Sequence, residues 1–281
     1  SDLGVPEIVL VAPPQRQTGE IDPLILATAS LLGIKEVYPV GGAQAIAALA
    51  YGTETIRPVD KIFGPGNIFV TLAKRKVFGY VGIDSMAGPA ETLVIADDSA
   101  NPEWVAADLL AQAEHDFLAA GILLSPSEKL IKAVQAAVTR QYAERSRKAF
   151  LDSSLPGRSG AVLTRDLDEA VELANAYAPE HLCLSVRDPW ALTEKITAAG
   201  GIFIGEHSFE VLGDYVAGPS HVMPTGGSAR FNSPLNVLDF IHVISLVALD
   251  PQTTRSIAPA AAAIARAEGL DGHANAALER L

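Results

Sequence analysis

TLVIADDSANPEWVAADLLAQAEHDFLAAGILL, residues 92–124, is the stretch that decides the fold. Thr92–Ala96 is a short run of β-favouring apolar residues. Asn101-Pro102 then offers an N-cap followed by proline at the first helical position, and a helix-like pattern runs through Trp104–His115. Gly121–Leu124 is apolar again. Strand–helix–strand alternation is the repeating unit of a doubly wound α/β fold.

The same alternation extends outward. Ile8–Ala12, Glu36–Val40, Lys61–Phe63, Gly160–Leu163, Leu182–Val186 and Gly201–Ile204 read as further strands. They are nearly all apolar with little alternation, the pattern of strands covered on both faces in a parallel sheet. Asp22-Pro23 opens a helix that Gly33 closes, and Asp166 or Asp168 caps Ala170–Tyr177. Two places break the rhythm. Gly79–Thr92 (GYVGIDSMAGPAET) reads as a crossing between domains, and His207–Pro234 reads as loop. Leu235–Leu281 is Ala-rich and reads as mostly helical.

The 281 residues carry 33 acidic against 21 basic side chains, a net charge of -12. An acidic surface does not attract nucleic acid or an anionic membrane. No uninterrupted apolar run is long enough to span a bilayer. Cys183 is the single cysteine, so no internal disulfide and no cysteine metal motif is available, and a reducing, cytoplasmic setting is expected. The chain opens on Ser1, so a processed start or a piece of something longer is expected.

Several residues carry chemistry, each with a plainer alternative. Gly64-Pro65-Gly66-Asn67 follows a strand and opens a helix, which suits a phosphate at the helix N-terminus. It equally suits a simple turn capped by Asn67. Gln112 and His115 are three apart at a helix end and share a face, so an amide oxygen and an imidazole can reach one metal. The alternative for His115 is a cation at the negative helix terminus. Glu180 and His181, directly before a buried run, can serve as two proton-transfer groups of different pKa, or as a helix stop with a solvated pair. Asp214 and His221 fall in the irregular segment, where Asp214 is a metal ligand or an Asx-turn residue. His273 lies near the C-terminus and by itself reads as a surface residue. His207 and His242 read as structural.

Taken in order, GGAQAIAALAYGTETI, VDKIFGPGN, AGPAETLVIAD, QAEH, APEHL, GDYVAGPSHVMPTGG and GLDGHANA resemble the histidinol dehydrogenase family from Gly4 to the end. The resemblance covers about the last two thirds of a typical member. It implies two incomplete Rossmann-like domains with mostly parallel sheets and a helical C-terminal arm: residues 1–91 on the NAD side, 92–234 carrying the zinc and catalytic residues, and 235–281 as a dimerisation arm. It implies NAD and zinc as cofactors, a homodimer, and oxidation of L-histidinol through the aldehyde to L-histidine.

Carried over by position, the zinc ligands are Gln112, His115, Asp214 and His273, the last supplied across the dimer interface. His181 is the base that takes the alcohol proton, and Glu180 activates the water that adds to the aldehyde. His221 and Glu268 contact substrate, and Gln44 and Asn67 contact NAD. One departure lies at the substrate: Ala90 stands where the family usually has Ser, a change that points to a relative oxidising another small polyol or a sulfonated diol. The other departure is the absent front, which implies exposed sheet edges, uncovered apolar helix faces and weak NAD binding, or a catalytically silent fragment.

Overall fold

In the computed structural model, which describes residues 3–281, every strand read from the apolar runs is present. The order is β1 (Val9–Val11), α1 (Pro23–Leu31), β2 (Glu36–Tyr38), α2 (Gly42–Tyr51), β3 (Lys61–Ile62), α3 (Ile68–Val77) and β4 (Gly82–Ile83). Then come β5 (Glu91–Ala96), α4 (Pro102–Ala113), β6 (Ala120–Ser125), α5 (Glu128–Tyr142), α6 (Lys148–Arg158), β7 (Gly160–Leu163) and α7 (Leu167–Tyr177). The series closes with β8 (His181–Ser185), α8 (Pro189–Thr193), β9 (Gly201–Ile204), α9 (Glu210–Tyr215), α10 (Pro251–Ala267) and α11 (Asp271–Leu278). Contacts divide the chain into one unit ending at Phe240 and a second, Ile241–Leu281.

The expected caps form. Asp22 accepts the Leu24 amide, Asn101 accepts that of Glu103, and Asp166, not Asp168, accepts that of Glu169. Three sequence expectations need correction. The helix after Asn101 ends at Ala113, so His115 lies in the turn beyond it. The stretch 207–234 is not all loop, because α9 forms inside it. The two-residue β4 lies within the stretch read as a crossing; it is too short to leave a periodic signal.

The first unit contains one large sheet and two small ones. β5 to β9 form a parallel sheet in the order β7-β6-β5-β8-β9, so the chain order reverses between β5 and β8. Period-2 alternation assigns the two faces. Val94, Ala96, Leu123 and Cys183 meet Val105, Ala106 and Leu109 of α4 and Leu130 and Val134 of α5. Leu93, Ile95, Leu124, Leu182 and Leu184 meet Ala170, Val171 and Ala174 of α7. Coverage on both faces fails at β7, whose four residues are all exposed, because both cores form over the central strands.

β1–β2 and β3–β4 are separate parallel pairs. They share a core with α2 and α3 built from Ile46, Leu49, Ile62, Val77 and Val81. α1 turns Leu24 and Leu31 outward, at 75% and 88% exposure, so it is an uncovered apolar helix face of the kind expected. In the second unit α10 and α11 meet along Ala262, Ala265 and Ala274.

Candidate active site

Sheet register builds the floor of the site. Thr92 pairs with His181 at the start of β5 and β8, and both lie on the α4 face with Val94 and Cys183. This is the amino edge of the sheet at its switch point, opposite the carboxyl-end crevice where open α/β sheets ordinarily bind ligands. α4 returns antiparallel to β5, so its last turn arrives at the same edge. It delivers Gln112, which is buried, with Thr92 Oγ1 2.9 Å from its Oε1. His115 follows one turn on, its amide donating to the Gln112 carbonyl at 3.1 Å, and is exposed.

Local backbone turns Glu180 and His181 inward. Ala178 ends α7 in the left-handed conformation (φ 52°), a conformation non-glycine residues seldom adopt, and Pro179 prevents the helix from continuing. Both side chains are buried, which overturns the alternative of a solvated pair. The Glu91 amide donates to Glu180 Oε2 at 3.0 Å. Gly200 passes so close that a Cβ there would lie 2.5 Å from the Glu180 carbonyl oxygen, so a side chain at 200 would displace the entry to β8.

The His181 ring is held on several sides. Its Nδ1 lies 3.3 Å from Glu210 Oε1 and 3.4 Å from Thr92 Oγ1. Its Nε2 lies 3.9 Å from Glu180 Oε1 and is buried without a hydrogen-bond partner. His221 stacks on the ring with centroids 4.6 Å apart, and Phe203 meets it edge-on at 5.9 Å.

α9 supplies the other wall. Glu210 opens it and Asp214 sits one turn later, so the two carboxyls share a face. Asp214 therefore stands on a helix, not in an Asx turn, and its Oδ1 is 3.9 Å from His221 Nε2. Gly213 permits the approach, since a Cβ there would meet Phe203 at 2.6 Å. Thr92 and Glu210 were missed as site residues. Period-2 alternation from His181 could have flagged Thr92 only once the pairing was known. Glu210 needed the Glu-x-x-x-Asp spacing read as helix.

Burial sets the charge states. Desolvation pushes Glu180 up to about 8, with the carboxyls of Glu210, Glu91 and Asp214 adding to the rise. Desolvation, then the neighbouring Asp108 and Asp214, likewise push Glu210 up to about 8. Burial drives His181 down to about 3, helped by His221 and His115, and lowers His221 in the same direction. The imidazoles are thus neutral near pH 7.

A stability consequence follows for the metal-free protein. Glu180 and Glu210 bind their protons more tightly folded than unfolded, so their contribution is intact below about pH 4.3 and is lost as pH rises towards 8. His181 acts oppositely, and its penalty disappears above about 6.5. Between pH 6.5 and 8 the carboxyl effect stands alone. The urea midpoint is expected to fall across that interval, and Glu180→Gln to flatten the fall. A midpoint that holds steady or rises in the unaltered protein rules the account out.

The donor set suits a cation. Three carboxyls and three imidazoles gather with no side-chain cation among them, and ligating atoms of His181, Glu210 and His221 lie within 4.8 Å of one another. The buried Gln112 Nε2 has no partner. Thr92 Oγ1 contacts both Gln112 Oε1 and Glu210 Oε2, yet a hydroxyl has one proton. With that proton given to Glu210, the amide turns its NH2 to Thr92 and its oxygen to the unpartnered position, where it is a hard donor for a metal. His115 and Asp214 stand exposed at the rim beside this buried floor.

The remaining sequence candidates lie elsewhere. Ala90 is half-buried just before β5. Gln44 and Asn67 open α2 and α3, and Asn67 accepts the Phe69 and Val70 amides at 3.0 and 3.2 Å, so its capping role is real. Glu268 and His273 belong to the second unit, at the end of α10 and in the first turn of α11, and are exposed.

Comparison with known proteins gives the context. The family model described as histidinol dehydrogenase matches residues 3–281. A histidinol dehydrogenase of Deinococcus radiodurans is 56% identical over 280 residues, covering 99% of this chain and 64% of that protein. One of Moorella thermoacetica is 54% identical, covering 97% and 64%. The crystal structure of histidinol dehydrogenase from Elizabethkingia anophelis superposes with a TM-score of 0.91 at 43% identity, over 97% of this chain and 63% of that one. The chain thus spans 64% of the length of these curated relatives. Matched over nearly all of its own length, with relatives more than half identical to it, the chain belongs to the histidinol dehydrogenase family.

Proposed function

We propose that this protein oxidises L-histidinol through L-histidinal to L-histidine, the last steps of histidine biosynthesis, in a cytoplasmic homodimer. The observation that carries the reading is a buried, neutral imidazole whose Nε2 has no partner, set between two carboxyls beside a buried amide that can turn its oxygen to a metal. Gln112, His115, Asp214 and His273 of the partner subunit would hold the zinc. Gln44 and Asn67, at the openings of α2 and α3, would face NAD. When bound, zinc anchors the substrate's imidazole and amine, and NAD supplies the hydride acceptor. Residues 1–91 serve the cofactor, 92–234 the zinc and substrate, and 235–281 the partner.

His181 Nε2 takes the hydroxyl proton as hydride leaves the carbinol carbon. Carboxyls lie 3.3 and 3.9 Å from the ring and, when ionised, favour the imidazolium so formed, so the proton belongs to a coupled group rather than to one ring. In the second step Glu180 takes a proton from the water that adds to the aldehyde. Its pKa of about 8 is close to the working pH, where a group exchanges protons readily. Enclosing the aldehyde between steps protects it from side reactions. His221, stacked on His181, would contact the substrate, and Glu268 is carried over as a substrate contact from the family resemblance alone.

The test is zinc content together with NADH formation on adding histidinol. Protein that binds zinc and reduces NAD with histidinol supports the reading; protein that holds no zinc and turns over no histidinol sinks it. Ala90 motivates a second reading, a dehydrogenase of another small polyol or sulfonated diol. Losing the Ser hydroxyl removes a hydrogen bond of about 0.5–1.5 kcal/mol. A substrate panel in which such an alcohol outcompetes histidinol selects that reading. The span of 64% of the relatives motivates a third, a fold that binds zinc without NAD chemistry. Micromolar NAD binding in a titration excludes it.

A further inference from the structure

We propose that Glu210 is a positioning residue: its carboxyl accepts the Nδ1–H of His181 and so keeps the ring in the tautomer whose Nε2 lone pair faces the site. The inference rests on reading His181 as the base that takes the alcohol proton, and it deepens that reading.

The geometry allots each proton. Glu210 presents two oxygens. Oε2 is engaged by the Thr92 hydroxyl, which leaves Oε1 as the acceptor, 3.3 Å from His181 Nδ1. Thr92 Oγ1 also lies 3.4 Å from Nδ1, but its single proton goes to Glu210, so towards Nδ1 it can only accept. With Glu210 as the carboxylate, Nδ1 faces two acceptors and carries the hydrogen. Nε2, buried and without a partner, is left as the basic nitrogen. Which ring nitrogen is protonated is set by the bond the other makes, and here that bond runs to α9.

The arrangement also explains why Glu210 and Asp214 share one short helix. A displacement of α9 moves the tautomer-setting carboxyl and the proposed zinc ligand together, so base and metal are oriented by one element. Phe203, against which Gly213 packs, touches both α9 and the His181 ring and fixes their separation.

Nitrogen-15 NMR of the metal-free protein, labelled at histidine, reads the tautomer directly. Its His181 signals are identified by their loss in His181→Asn. Above about pH 8, where Glu210 is the carboxylate, the expected pattern is a protonated Nδ1 and an unprotonated Nε2. In Glu210→Leu, which keeps the volume and removes the acceptor, the Nε2–H form is expected to become the major one. Should the Leu variant fail to fold, Glu210→Asp withdraws the carboxyl by one methylene and is expected to shift the balance the same way. An Nε2–H ring in the unaltered protein, or an Nδ1–H ring that persists in both variants, overturns the proposal. Kinetically, Glu210→Leu is expected to lower kcat on the order of 10–100-fold, as for other outer partners of active imidazoles, with zinc content and histidinol KM little changed. The NMR reading uses no zinc, NAD or histidinol, so its failure is distinct from failure of the proposed oxidation.

Discussion

Replacing His181 with asparagine is expected to lower histidinol turnover on the order of 10²–10⁴-fold while leaving zinc content unchanged, as for removal of a general base. Asparagine fits the space and can still donate an amide hydrogen to Glu210 Oε1, so the packing against Phe203 and His221 need not collapse. What disappears is the unpartnered Nε2 lone pair. Stopped-flow absorbance of NADH at saturating histidinol measures the loss, and metal analysis of the same sample measures the zinc. The pairing of readouts matters because His181, Glu210 and His221 also bring ligating atoms within 4.8 Å of one another. If zinc leaves with the imidazole, His181 is a ligand and the assignment to Gln112, His115 and Asp214 is wrong. If turnover survives, the base lies elsewhere, and the stacked His221 is the next candidate.

Much of this was legible in the chain, for identifiable reasons. The strands were visible because parallel, doubly covered strands are written in Val, Ile and Leu, and caps such as Asn101-Pro102 mark helix starts with local chemistry. His181 and Gln112 could be singled out by residue type and position. Their convergence could not, because it depends on the Thr92–His181 register and on α4 returning to the amino edge, which are long-range facts. α9 was read as loop because its six residues are glycine-interrupted and too few for a periodic pattern, and Glu210 was lost with it. β7 was misjudged for a different reason: an apolar edge strand has the same composition as a central one, and only its place in the sheet distinguishes them.

Lys74→Met is expected to destabilise the first unit by about 3–5 kcal/mol, the scale for stripping one partner from a buried ion pair. Lys74 and Asp84 are 2% and 3% exposed and in direct contact. Together they fasten the Gly64 turn from both sides. Lys74 Nζ donates to the Gly64 carbonyl at 2.7 Å, and Asp84 Oδ2 accepts the Gly64 amide at 2.7 Å. Gly64 itself has φ of 110°, a left-handed value that glycine tolerates, so the turn is held by these bonds rather than by backbone preference. Methionine replaces the stem of Lys74 but leaves the Asp84 carboxylate buried against only backbone amides. Asp84→Asn added to Lys74→Met removes the orphaned charge while an amide oxygen still accepts from Gly64, so the double variant is expected to recover part of the loss. Urea unfolding of the three proteins measures the energies, and hydrogen exchange at the Gly64 amide reports the turn. A single variant within 1 kcal/mol of the parent, or a double variant less stable than the single, would show that the pair is not the fastening. The turn opens α3 where Asn67 caps it, so the same buried pair holds the helix terminus proposed to face NAD.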